Sequence, residues 1–178
     1  MGSKERLYAD IMAVHPEVTG SCNLVIVKQP DNTTVKFIVD CGLFQERKYS
    51  KNNESLPFIP ANIDFCLVTH NHVDHVGRLP FLVNKGYDKE IFISETTSKL
   101  LPLALEDSHK VLRDVAKRQN RPCLYTESDV AQTMKLIRPC KYNQTVQIRP
   151  NIKATFFQNG HLMGATSILV QIGYPGYE

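Results

Sequence analysis

No apolar run in this chain approaches the length of a bilayer span, and no secretory leader precedes the first charged residues. A membrane location is not expected, and the cytoplasm is the default setting. No Cys-x-x-Cys pair occurs, and the five cysteines, Cys22, Cys41, Cys66, Cys123 and Cys140, are odd in number and scattered. That pattern argues against a cysteine zinc site or a redox motif. Cys22, Cys41 and Cys66 lie in or beside apolar strands and read as buried thiols of a reducing compartment. There is no internal repeat and no low-complexity linker. No aspartate follows Asp129. The 178 residues, 42% of them hydrophobic, fit one globular unit, and a net charge of +3 permits a nucleic-acid partner without demanding one.

What is present is concentrated in Thr69-His70-Asn71-His72-Val73-Asp74-His75-Val76-Gly77. Four potential metal ligands, His70, His72, Asp74 and His75, fall within six positions. Imidazole with some carboxylate suits zinc and its neighbours, iron and manganese included. Converging side chains of this kind would crowd and desolvate one another without a cation. A lone histidine beside a strand is usually a core or surface residue, but the full His-x-His-x-Asp-His string is far more specific. A cation held by neutral imidazoles makes water a nucleophile near neutral pH, so the string points to a metal-dependent hydrolase.

The flanks place the string in the fold. Asp64 to Thr69 is an apolar run of strand length. Phe81 to Gly86 reads as a short helix, with Pro80 in its first turn and Gly86 at its C-terminal end. The ligands then sit at the carboxyl end of a strand, where open α/β sheets place their sites. Residues two apart in an extended segment point the same way, so His70 and His72 can approach one ion. Asp74 and His75 lie where the chain turns and can face a second.

Elsewhere, Met12 to Val14, Cys22 to Lys28, Val35 to Val39 and Lys89 to Ser94 read as strands. Glu46 to Pro60 is a polar loop. A helix opens at Glu95 with Thr97 as its cap and runs to about Leu105. Asp107 to Gln119 reads as a separate basic helix whose charges form a solvated face rather than an RNA track. Thr126 to Asp129 caps a third helix through Ile137. Val146 to Ile148, Ile152 to Phe157 and Ser167 to Ile172 are late strands. Interleaved strands and helices give an α/β class. His15 and His109 read as ordinary histidines.

The ligand string resembles the signature of the metallo-β-lactamase superfamily. Phe37 to Gln45, a strand ending in Asp40, is similar to that superfamily's first motif. Asn159-Gly160-His161-Leu162-Met163-Gly164-Ala165 is similar to its third. Glu17 to Cys22, together with Gly77-Arg78-Leu79-Pro80, resembles the β-CASP branch of RNA-processing nucleases, which includes the endonuclease of messenger-RNA 3′-end formation and ribonucleases of the J type. The resemblance implies an αββα sandwich, of which residues 1–178 would supply chiefly the first sheet and its helices. It implies a first metal site of His70, His72 and His161, and a second using Asp74 and His75, with Asp74 also catalytic. It gives Asp40 the task of ordering the ligand loop by hydrogen bonds; the other reading of Asp40 is a strand-end turn residue.

The same resemblance marks what is missing. The aspartate that bridges two metals, a late histidine and the inserted β-CASP domain have no counterpart here. The chain therefore reads as the N-terminal portion of a longer zinc hydrolase of RNA phosphodiesters. It is expected to hold one zinc rather than two, to be inactive alone, and to need a companion C-terminal segment or another protomer. Two other readings stay open: a superfamily hydrolase of small esters or thioesters, and a non-catalytic truncated module that binds RNA or protein.

Overall fold

The computed structural model describes residues 7–14 and 17–175, so His15 lies outside it. Six strands form one sheet in sequence order: β1 (Tyr8–Ala13), β2 (Asn23–Lys28), β3 (Thr34–Val39), β4 (Phe65–Val68), β5 (Ile91–Ser94) and β6 (Ile137–Cys140). The first three pair antiparallel. From β3 onward the pairing is parallel, because helical crossovers separate the strands. The β3–β4 crossover holds only 3-10 turns, the β4–β5 crossover holds α1 (Val73–Val76) and α2 (Leu79–Asn84), and the β5–β6 crossover holds α3 (Glu95–Arg118) and α4 (Glu127–Leu136).

The central strands β4 and β5 are buried at every position, so both faces of the sheet are covered. Alternation sorts their side chains. Ile38, Cys66, Val68, Ile91 and Ile93 pack with Leu79, Leu82, Leu101, Leu105 and Val130 of the helices. Phe37, Phe65, Leu67 and Phe92 point the other way. There they meet Ile148, Ile152, Ala154 and Phe156 of a second, three-stranded sheet: β7 (Thr145–Arg149), β8 (Ile152–Gln158) and β9 (Thr166–Ile172). Phe37 and Phe65 stack with centroids 4.5 Å apart at the heart of this second core.

The late strands thus build a second sheet that closes the inner face of the first, where the sequence suggested chiefly the first sheet. The two helices expected at Glu95 to Leu105 and Asp107 to Gln119 are one helix, α3. Glu106 between them is a good helix former, and Pro102 inside the helix does not end it. Its cap is Ser94, whose hydroxyl accepts from the Thr97 N–H at 3.2 Å, not Thr97 itself. Thr126 and Asp129 form the expected reciprocal capping box at α4. The Glu46 to Pro60 loop contains a 3-10 stretch, Arg47–Glu54. His109 is not on the solvated face of α3: it is 6% exposed and stacked on Tyr125, centroids 5.8 Å apart.

Candidate metal centre

β4 ends at Val68, and the chain emerges from the core at Thr69 and His70. The Thr69 carbonyl accepts from the Thr166 N–H (2.9 Å) and the Thr166 hydroxyl (3.0 Å). This lacing joins the end of β4 to the start of β9 across the two sheets. The loop before β9 carries His161, and Gly164 pins it. Its carbonyl accepts from the Ser94 (2.7 Å) and Thr97 (2.8 Å) hydroxyls at the start of α3. Gly164 has φ +94°, and a Cβ there would lie 2.5 Å from Thr97 Oγ1. Both the conformation and the close approach require glycine.

The outcome is a convergence of His70, His72 and His161, with one ligand nitrogen from each lying within 4.8 Å of the others. Ring centroids are 4.9 Å apart for His70–His72, 4.9 Å for His70–His161 and 5.1 Å for His72–His161. His70 is buried at the base, while His72 and His161 are exposed at the mouth.

Hydrogen bonding sets the tautomer of His70. The Thr69 hydroxyl donates its single proton to Asp40 Oδ2 at 2.7 Å. It can then only accept from His70 Nδ1, 2.9 Å away. The proton sits on Nδ1, and Nε2 carries a lone pair. That Nε2 is buried and has no hydrogen-bond partner among the described residues. Burial, then the neighbouring His75, His72 and His161, holds the imidazole down at about 4, so it is neutral at physiological pH.

Asp40 lies beneath the cluster, 2% exposed and at φ +63°. Its Oδ1 accepts from the Thr69 N–H at 2.8 Å, and its Oδ2 accepts from His75 Nδ1 at 2.8 Å as well as from Thr69. His75 Nε2 is left facing Asp74 Oδ2 at 3.7 Å. Burial pulls the His75 pKa down, but the Asp40 hydrogen bond and the Asp40 and Asp74 charges outweigh it, for a net rise. The His75 ring lies 4.0 Å from that of His70. Asp74 and His75 therefore form a pair beside the three-histidine group, not members of it.

Helix α1, which carries Asp74 and His75, is clamped by backbone. Cys41 N–H donates to the His75 carbonyl (2.8 Å), Leu43 N–H to Val73 (2.9 Å) and Ser21 N–H to Asp74 (2.8 Å). A Cβ on Gly42 would stand 1.6 Å from the Asp74 carbonyl oxygen. Arg78, 0% exposed, ties this clamp to the next loop: its Nε donates to the Gly42 carbonyl at 2.6 Å and one Nη to Asn52 (2.9 Å) and Ser55 (3.2 Å). Its guanidinium also lies over the Phe44 ring, 5.1 Å from the centroid. The roles of Thr69, Arg78 and Gly164 are not legible in the sequence, because each acts through a partner distant along the chain.

A family model described as the metallo-beta-lactamase superfamily domain matches residues 27–173. Ribonuclease TTHA0252 of Thermus thermophilus is 31% identical over 87% of this chain and 33% of its own length. Transcription termination factor FttA of Methanocaldococcus jannaschii is 31% identical over 91% of this chain and 24% of its own. Integrator complex subunit 11 of Danio rerio is 26% identical over 88% and 26% respectively. The chain thus spans between about a quarter and a third of the length of these relatives. Among solved structures, a metallo-beta-lactamase from Cronobacter sakazakii superposes with a TM-score of 0.51 at 20% identity, covering 90% of this chain and 62% of that one, a likeness of fold. With the family model spanning most of its residues and the histidine cluster at the sheet ends, the chain belongs to the metallo-beta-lactamase superfamily.

Proposed function

We propose that this chain is the metal-binding part of a zinc-dependent hydrolase of RNA phosphodiesters, of the β-CASP type. The observation that carries the reading is the three-histidine convergence with the buried, unpartnered Nε2 of His70. A buried acceptor left without a donor costs about 1–3 kcal/mol. A cation relieves that cost, and neutral imidazoles are the donors zinc favours. His70, His72 and His161 would hold the ion, leaving the exposed mouth open to substrate. Asp74 and His75 are two ligands toward a second ion, which they would bind weakly without further donors. When bound, zinc would supply Lewis-acid polarisation of the phosphate and a lowered water pKa.

The chain's own residues supply the rest. Asp40 and Thr69 hold His70 in the tautomer that presents Nε2. Asp40 orients His75 so that its Nε2 faces Asp74. The Asp74 side chain, 22% exposed, would accept a proton from an attacking water. The names of the relatives, a ribonuclease and two factors of transcription termination and the Integrator complex, support RNA as the substrate class. Because this chain matches only about a quarter to a third of their length, activity is proposed for a polypeptide that joins these residues to others completing the second site.

Elemental analysis of the dialysed chain tests the metal assignment. About one zinc per molecule is expected, lost in His70→Ala and His161→Ala. A chain that retains no zinc while folded, or retains it in both variants, refutes the assignment.

A further inference from the structure

The five cysteines are scattered along the chain, but the fold sets two of them side by side. β2 and β3 pair in register as far as Asn23 and Val39. The next bond between the two segments runs from the Gly42 N–H to the Ser21 carbonyl at 2.9 Å. Cys22 therefore faces two residues, Asp40 and Cys41, across a β-bulge whose extra residue, Asp40, takes the left-handed conformation at φ +63°. Cys22 and Cys41 are both buried and turn into the same core, with Ile38 and Leu79. A hydrogen bond joins the two thiols, Cys22 donating to Cys41 Sγ. Neither is in a disulfide. The buried Arg78 guanidinium favours negative charge on both sulfurs, and one of its Nη atoms has no hydrogen-bond partner among the described residues. Paired strands lie about 4.8 Å apart, inside the roughly 4.4–6.8 Å between Cα atoms that a disulfide bridges. Cys66 is buried as well, but it stands on β4 opposite Ile38 rather than opposite Cys41.

We infer that Cys22 and Cys41 are an oxidation site, converted by hydrogen peroxide to a disulfide that staples the clamp around α1. Peroxide is the fitting oxidant because it is little larger than water, whereas a buried pair excludes a bulky disulfide such as oxidised glutathione. The Sγ of one cysteine attacks a peroxide oxygen. The O–O bond breaks, and hydroxide leaves with the thiol proton as water. The second Sγ attacks the resulting sulfenic acid; the S–S bond forms, the S–O bond breaks and a second water departs. The two thiols lose two electrons and two protons, and peroxide becomes two waters. The position gives this bond its consequence. The Ser21 N–H holds the Asp74 carbonyl and the Cys41 N–H holds the His75 carbonyl, each at 2.8 Å. The two segments that grip α1 are thus the two that the disulfide joins. The bond requires no metal, so it stands apart from the zinc assignment.

The test is cysteine mapping of the metal-free 178-residue chain after treatment with hydrogen peroxide. Remaining thiols are alkylated in denaturant, the chain is digested without reductant, and the peptides are read by mass spectrometry. One internal cross-link, Cys22 to Cys41, is expected, with Cys66 and Cys140 recovered as alkylated thiols. Closing the loop between the two cysteines should raise the melting temperature by roughly 5–10 °C. Cys22→Ala should form no internal disulfide and show no such rise. The mapping itself needs only wild type, so it decides the matter even where Cys22→Ala does not fold. In urea the same treatment should give mixed pairings, because the fold no longer holds the two sulfurs together. Recovery of both cysteines as thiols, a dominant bond to any other cysteine, the same single pairing in urea, or a cross-linked chain that melts no higher than the reduced one overturns the inference.

Discussion

Removing the carboxylate of Asp40 should damage both the fold and the metal site, by separable amounts. In Asp40→Ala, the Thr69 N–H, the Thr69 hydroxyl and His75 Nδ1 all lose an acceptor now 2.7–2.8 Å away. His75 is 24% exposed and the hydroxyl can rotate, so water and reorientation recover part of the loss. What stays lost is of the order of one charge-assisted bond to a buried donor, about 1.5–3 kcal/mol. Alanine at φ +63° adds about 1–2 kcal/mol of backbone strain. The total, about 2.5–5 kcal/mol, is a large share of a typical domain's stability. Asp40→Asn is milder, at about 1.5–3 kcal/mol, because asparagine tolerates this conformation and keeps an oxygen for the Thr69 N–H. Its effect on metal is nevertheless direct. With Oδ2 replaced by an NH2 donor, the Thr69 hydroxyl is released to donate to His70 Nδ1, and the His70 proton shifts to Nε2, the nitrogen proposed to meet the ion. Zinc affinity should fall about 10–100-fold. Urea denaturation of the metal-free chain and competition against a chromophoric chelator give the two numbers. Stability of both variants within about 0.5 kcal/mol of wild type, with zinc affinity unchanged, would refute the network described above.

Gly42→Ala should not yield a folded chain, because its Cβ would occupy the space of the Asp74 carbonyl; native-like circular dichroism and cooperative melting would contradict this. Gly164→Ala should fold but lose zinc affinity at least tenfold, since the loop bearing His161 must lift off Thr97; chelator competition reads it, and wild-type affinity would show that the loop does not position His161. The metal-free chain should lose stability as pH falls from about 6.5 towards 4. There the unfolded chain protonates His70 at its ordinary value while the folded chain resists until about 4, so the unfolded state binds more protons. His75, shifted upward, gives its full contribution below 6.5 and does not shape this window. Melting temperatures across that range, compared with His70→Asn, check the sign; an identical slope in the variant would assign the loss to other groups.

The local pattern carries a good deal by itself. Alternation and apolar runs mark β4 and the late strands, the Thr126–Asp129 box marks α4, and the density of potential ligands from His70 to His75 marks the candidate metal loop. These signals are legible because the residues that make each feature are neighbours along the chain. Tertiary structure decides the rest. Whether Val146 to Ile172 forms a second sheet depends on Phe37, Phe65 and Phe92 offering it an apolar face. The union of two expected helices into α3, and the burial of His109 on Tyr125, depend on packing that no short window contains. His161 reaches His70 only because Thr166 bonds to Thr69 and Gly164 rests on Ser94 and Thr97. A ligand type is a property of one residue, but a coordination site is a set of distances, and those exist only once β4, β9 and α3 are packed together.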